Sequence, residues 1–262
     1  MADPPRLTGV DGSIVLVRHG ESTWVAENRF QGQSDPPLSA LGEQQAALVA
    51  KRLADPMASP ALPLPAGAPI GIWHSPLRRA AATAAAISGE QRIAVAVHAD
   101  DRLKELAQGL WEGLTHPEVV SRYGAELEAW RLDPVASHAP GGESLDEGAA
   151  RVRGALDGML GALRDARPAS DTGGDPVLGY GAPATAWPWS IVAAHDGTLR
   201  LLLLELLELP LARYWALPFA LCGVTVVEIT GGRARLRAHN LAEHLESLAR
   251  PALAATDRGG AL

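Results

Sequence analysis

The apolar run Ile14-Val15-Leu16-Val17 stops abruptly at Arg18-His19-Gly20. A short, unbroken apolar run bounded by polar residues describes a strand buried on both faces. In open α/β sheets, ligands bind beyond the carboxyl ends of the strands. That is where this run delivers a fixed positive charge, an imidazole and a glycine. A guanidinium presents phosphate with a planar fork of donors. A neutral imidazole is a nucleophile, and glycine lets backbone approach an anion closely. Taken alone, the triplet is equally a surface turn after a core strand.

Strands and helices alternate along the rest of the chain. Ser39 caps a helix running to about residue 53. Residues 70–73 form a second strand, and Pro76 opens a helix through about residue 88. Residues 93–97 are a third strand, followed by helices near 116–130 and 144–164. A fourth strand, 189–194, ends at His195, and residues 199–208 are helical. Strands at 223–229 and 234–237 flank the turn Thr230-Gly231-Gly232. This order predicts an α/β fold of three layers, a mostly parallel central sheet with helices on both faces. Residues 1–262 are read as one domain. Within it, 166–188, rich in Pro, Gly, Asp and Ala, is expected to be a flexible insert, and the tail after about 250 to be frayed.

Composition removes several function classes. The chain has 262 residues, 47% of them hydrophobic, enough for a full α/β core. Its net charge of −7 argues against a nucleic-acid partner, which would require a basic face. The longest apolar stretch, 199–211, contains Arg200, Glu205 and Glu208 and is too short to cross a bilayer. No apolar signal-peptide core follows the first methionine, so a cytoplasmic location is expected, with no membrane partner. Cys222, the single cysteine, reads as a buried thiol. His74, His98, His116, His138, His239 and His244 have no ligand spacing of a known metal type. Neither a Walker loop nor a dinucleotide glycine fingerprint follows any strand. No metal and no cofactor are therefore expected.

The stretch Leu16-Val17-Arg18-His19-Gly20-Glu21-Ser22-Thr23-Trp24, then Asn28-Arg29-Phe30-Gln31-Gly32, Asp35, Pro37-Leu38-Ser39 and Gly42, resembles the opening of the histidine phosphatase superfamily. That family holds the cofactor-dependent phosphoglycerate mutases and many phosphatases. Ser75-Pro76-Leu77-Arg78-Arg79-Ala80 is similar to its Ser-Pro-Leu-x-Arg-Ala segment, which places Arg79 at the anion-binding position and Arg78 at a variable one. Leu103-Lys104-Glu105 through Gly109, Trp111-Glu112-Gly113 resembles the segment that carries the general acid. This assigns the acid to Glu105 and leaves Glu112 structural or solvated. Ala194-His195-Asp196-Gly197-Thr198 looks like the second histidine motif, with Asp196 where glycine is more frequent. Val25 stands where the family usually has an asparagine whose amide helps hold phosphate. Gly141-Gly142-Glu143-Ser144 is similar to a segment that opens a helix.

The resemblance implies phosphoryl transfer onto nitrogen. His19, Glu105, His195, Arg18 and Arg79 would be catalytic, and Arg18, Arg79, Gln31, Gly32 and Asp196 would contact substrate. The partner implied is a small phosphorylated metabolite; a homodimer is left open. Mutases of the family carry Glu-Arg-His-Tyr-Gly at the acid segment. Glu105-Leu106-Ala107-Gln108-Gly109 looks instead like the phosphatase branch. Phosphoglycerate mutase is the alternative. A non-catalytic binding module on the same fold is the third reading, disfavoured because all five core residues are present.

Overall fold

The computed structural model describes residues 6–166 and 187–248. Six strands form one sheet: β1 (Gly12–Arg18), β2 (Ile72–His74), β3 (Val97–Ala99), β4 (Trp189–Ala194), β5 (Val224–Thr230) and β6 (Arg233–Leu241), in the order β3-β2-β4-β1-β5-β6. The first four of that order run parallel to one another; β5 is antiparallel to β1, and β6 to β5. The helices are α1 (Thr23–Ala26), α2 (Ala40–Ala54), α3 (Arg78–Glu90), α4 (His116–Leu132), α5 (Leu145–Asp165) and α6 (Asp196–Leu206).

The apolar run of β1 is unbroken because both of its faces are covered. Ile14 and Leu16 enter one core with α5 and α6, through Val152, Leu156, Leu199 and Leu203. Val15 and Val17 point the other way, into a core with Val49 and Leu53 of α2 and Ala84 and Ile87 of α3. The expected three-layer α/β arrangement is thus present. Among the described residues, no helix is long and apolar enough to cross a membrane. Cys222 is buried, as expected, and its N–H donates to the Arg18 carbonyl.

Local chemistry explains most boundaries. The Ser39 hydroxyl accepts from the Gly42 N–H, capping α2 where the sequence placed the cap. Ser144 and Glu147 form a reciprocal capping box at α5. The hairpin between β5 and β6 turns through Gly231 and Gly232, with φ of 56° and 74°; two successive left-handed residues suit a tight hairpin.

Several boundaries differ from expectation: β2 is Ile72–His74 rather than 70–73, β6 runs on to Leu241 rather than 237, and three others have a local cause. α3 begins at Arg78, since Leu77 keeps an extended backbone as its cap and Ser75-Pro76 form a turn before it. β3 covers only Val97–Ala99, because the three residues of β2 are its whole ladder; Ile93 is left exposed. α6 starts at Asp196, three residues early, because His195 itself occupies the cap position and its carbonyl accepts from the Leu199 N–H. The expected insert at 166–188 lies almost wholly outside the described residues, as does the tail after 250.

Candidate active site

β1 and β4 are parallel neighbours, with Arg18 paired to Ala194. Their carboxyl ends therefore stop side by side, and the His19 N–H donates to the Ala194 carbonyl at 2.9 Å. This register sets the rings of His19 and His195 5.1 Å apart, edge to face at 62°. β2 lies on the other flank of β4 and leads through Ser75 into Arg79; β3 leads through a 3-10 turn at Asp101–Leu103 to Glu105. Four parallel strand ends thus feed one crevice, as the topology of open α/β sheets requires.

The crevice is a cleft lined by His19, Gln31, Gly32, Arg79, Glu105 and, among others, Asp196 and Gly197. Arg18 and His195 are not part of its open wall. His195 is wholly buried beside His19, and Arg18 donates to the Phe219 carbonyl at 2.8 Å. The charge of Arg18 still reaches both imidazoles.

The hydrogen bonds of His19 decide its tautomer. Nδ1 lies 2.6 Å from the Gly20 carbonyl, which can only accept, so Nδ1 carries the proton. Nε2 then holds the lone pair, and Arg79 Nε donates to it at 3.3 Å. Burial, then the charges of Arg79 and Arg18, hold the His19 pKa well below the ordinary histidine value. The ring is accordingly neutral and nucleophilic at neutral pH. His195 is pushed well down for the same reasons, with burial foremost. Neither of its ring nitrogens has a hydrogen-bond partner among the described residues. Buried polar atoms are almost always partnered, so the His195 ring is free to hydrogen-bond a ligand in the crevice.

Arg79 is anchored by backbone. Its Nη1 donates to the Ser34 carbonyl at 2.8 Å and its Nη2 to the Gly32 carbonyl at 2.9 Å. Burial lowers it to about 10, which leaves it charged at neutral pH. Gly32 has φ of 51°, and a Cβ there would lie 2.1 Å from Glu112 Oε1. Glu112 is structural: its carboxylate accepts from the N–H groups of Gln33, Ser34 and Gln108 and so ties two loops of the cleft together.

The Glu105 carboxyl sits at the start of α6, accepting from the N–H groups of Leu106, Gly197 and Thr198. Burial is the largest influence on it and raises its pKa; Asp196 adds to the rise, against those N–H donors and Arg79. Asp196, in the cleft wall, is charge-paired within α6. Arg200, one turn along α6, grips it through Nε at 3.0 Å and Nη2 at 2.9 Å, and the Phe219 N–H donates to its Oδ1. The side chain of Val25 is buried in α1; the amide that lines this end of the cleft is that of Gln31, whose Oε1 accepts from the Ser22 hydroxyl.

The sequence reading missed Gln108, Trp130 and Tyr214, which complete the cleft wall. Trp130 and Tyr214 arrive from remote elements and had no local signal. The Asp196–Arg200 pair had one, the four-residue spacing within a helix.

Residues 14–169 and 183–242 match the model of the "Histidine phosphatase superfamily (branch 1)". Phosphoserine phosphatase 1 of Hydrogenobacter thermophilus is 34% identical over 55% of this chain; the match spans 62% of that protein, less than two thirds of its length. Glucosyl-3-phosphoglycerate phosphatase of Mycobacterium tuberculosis is 35% identical over 78% of this chain and 79% of its own. A solved structure of the mycobacterial glucosyl-3-phosphoglycerate phosphatase complexed with VO3 superposes with a TM-score of 0.66 at 30% identity, over 88% of this chain and 99% of that one.

Proposed function

The chain belongs to the histidine phosphatase superfamily, and from that premise we propose that it hydrolyses the phosphate monoester of a small metabolite through a phosphohistidine at His19. One observation carries the reading. A neutral imidazole with its lone pair on Nε2 shares a cleft with a buried guanidinium and with a carboxyl whose pKa is raised.

In the first step His19 Nε2 attacks phosphorus and the ester P–O bond breaks. Glu105 gives its proton to the departing oxygen. Arg79 and Arg18 offset the charge on the phosphoryl oxygens. His195, with its unpartnered nitrogens, donates a hydrogen bond to the same group. In the second step the Glu105 carboxylate takes a proton from water, the water oxygen attacks phosphorus, and the P–N bond breaks. Inorganic phosphate leaves and His19 is regenerated. Gln31 and Gly32 contact the substrate at the cleft wall. Asp196 contacts the substrate from the same wall, its charge offset by Arg200.

Hydrolysis is preferred over the mutase alternative because a mutase must also hold a bisphosphate. Among the described residues lining the cleft, Arg79 is the one arginine and there is no lysine. The test is a quenched single turnover with a phosphate monoester, followed by mass spectrometry of the peptide bearing His19. Phosphate on His19 is the expected result; phosphate elsewhere, or none with turnover intact, overturns the reading.

A further inference from the structure

The wall that would face the leaving group has a distinct character. Gln31, Gln108, Trp130 and Tyr214 line it with the acids Glu105 and Asp196. Arg79, the one arginine in the described lining, is committed to His19 and to the carbonyls of Gly32 and Ser34. Arg200 lies behind Asp196, locked to it and stacked over the Tyr214 ring at 5.3 Å. Among the described residues lining this wall, no other cation is present.

The Gln108 side-chain oxygen is buried and accepts no hydrogen bond among the described residues. It is placed to accept from a donor on a bound ligand. An alcohol hydroxyl is a donor; an ionised carboxylate is not. A carboxylate here would also sit beside Glu105 with no charge to pair with, raising the proton affinity of both. Aromatic walls with a few placed polar groups suit the body of an uncharged ligand.

We infer that the leaving group of the substrate is an uncharged polyol, with one hydroxyl donating to Gln108 Oε1 and its carbon skeleton against Trp130 and Tyr214, and that carboxylated esters are rejected. The inference rests on the phosphatase reading above and selects among its substrates.

Two esters isolate the point. Glycerol 3-phosphate and 3-phosphoglycerate differ only in a hydroxymethyl group against a carboxylate. The wild-type protein is expected to favour glycerol 3-phosphate in kcat/KM by about tenfold or more, because like charges placed together disfavour binding. Equal values, or a preference for the glycerate, overturn the inference. A second variant measures the role of Gln108 in the wall. Gln108→Lys supplies the missing cation and is expected to shift the ratio toward the glycerate by about tenfold; an unmoved ratio overturns the assignment to Gln108. An aryl phosphate separates the two levels. If it is hydrolysed through phospho-His19 while the ester preference fails, only the substrate class falls. If it is not hydrolysed at all, the phosphatase reading falls with it.

Discussion

Arg79 Nε donates to His19 Nε2 at 3.3 Å, so the residue that would bind the phosphoryl group also holds the lone pair that would attack it. The contact orients the ring, and the positive charge keeps it from taking a proton. Substrate binding would draw Arg79 toward the phosphoryl oxygens and release Nε2.

His19→Ala is expected to lower phosphatase activity by at least about a thousandfold, since removing a nucleophile typically costs several orders of magnitude. The circular dichroism spectrum should stay that of the wild type, because the strand that carries His19 is held by its own ladders. Retention of a tenth or more of the rate would remove His19 from the nucleophile's role.

Glu105→Gln should depend on the leaving group. An alkyl alkoxide needs the proton and an activated aryl oxide hardly does. Single-turnover phosphorylation of His19 is expected to slow far more with an alkyl than with an aryl phosphate. Equal slowing would make Glu105 a shaping residue only. In the wild type, kcat/KM for an alkyl phosphate should rise as His19 loses its proton, below pH 6.5, and fall as Glu105 loses its own, above the ordinary carboxyl value. The alkaline fall should be absent from the variant.

The Asp196–Arg200 pair predicts a non-additive stability effect. Both side chains are nearly buried, at 11% and 5% exposure. Asp196→Ala strands a buried guanidinium and should cost about 3–5 kcal/mol in urea denaturation. Asp196→Ala combined with Arg200→Leu should cost less than the single change. Strict additivity would show that the pair is solvated in solution.

Stability should also fall with acid. The folded protein holds His19 and His195 neutral well below 6.5, whereas the unfolded chain protonates them as pH drops through that value. The unfolded state therefore binds more protons below pH 6.5, and the melting temperature should decline there and be fully restored above it. His195→Asn is expected to make that decline shallower. The slope should remain in part, because His116, His239 and His244 are lowered too.

Much of the site was legible because its chemistry is written in contiguous stretches. The run ending at Arg18-His19-Gly20, the Ser75–Arg79 turn, Glu105 and the His195 strand end are each encoded by near neighbours, as were the Ser39 cap and the two-faced burial of β1. Residue types and local periodicity specify such features before any tertiary contact forms. The order of the sheet made the two histidines meet, since only the parallel pairing of β1 with β4 aligns ends 176 residues apart in sequence, from position 19 to 195. Tertiary structure alone decided the rest: the proton on Nδ1 of His19, set by the Gly20 carbonyl and Arg79; the neutralisation of Asp196, completed by the Phe219 N–H; and a cleft wall completed by Trp130 and Tyr214. Burial and charge act through space, and their effects on a proton depend on which distant side chains the packing brings within a few ångströms.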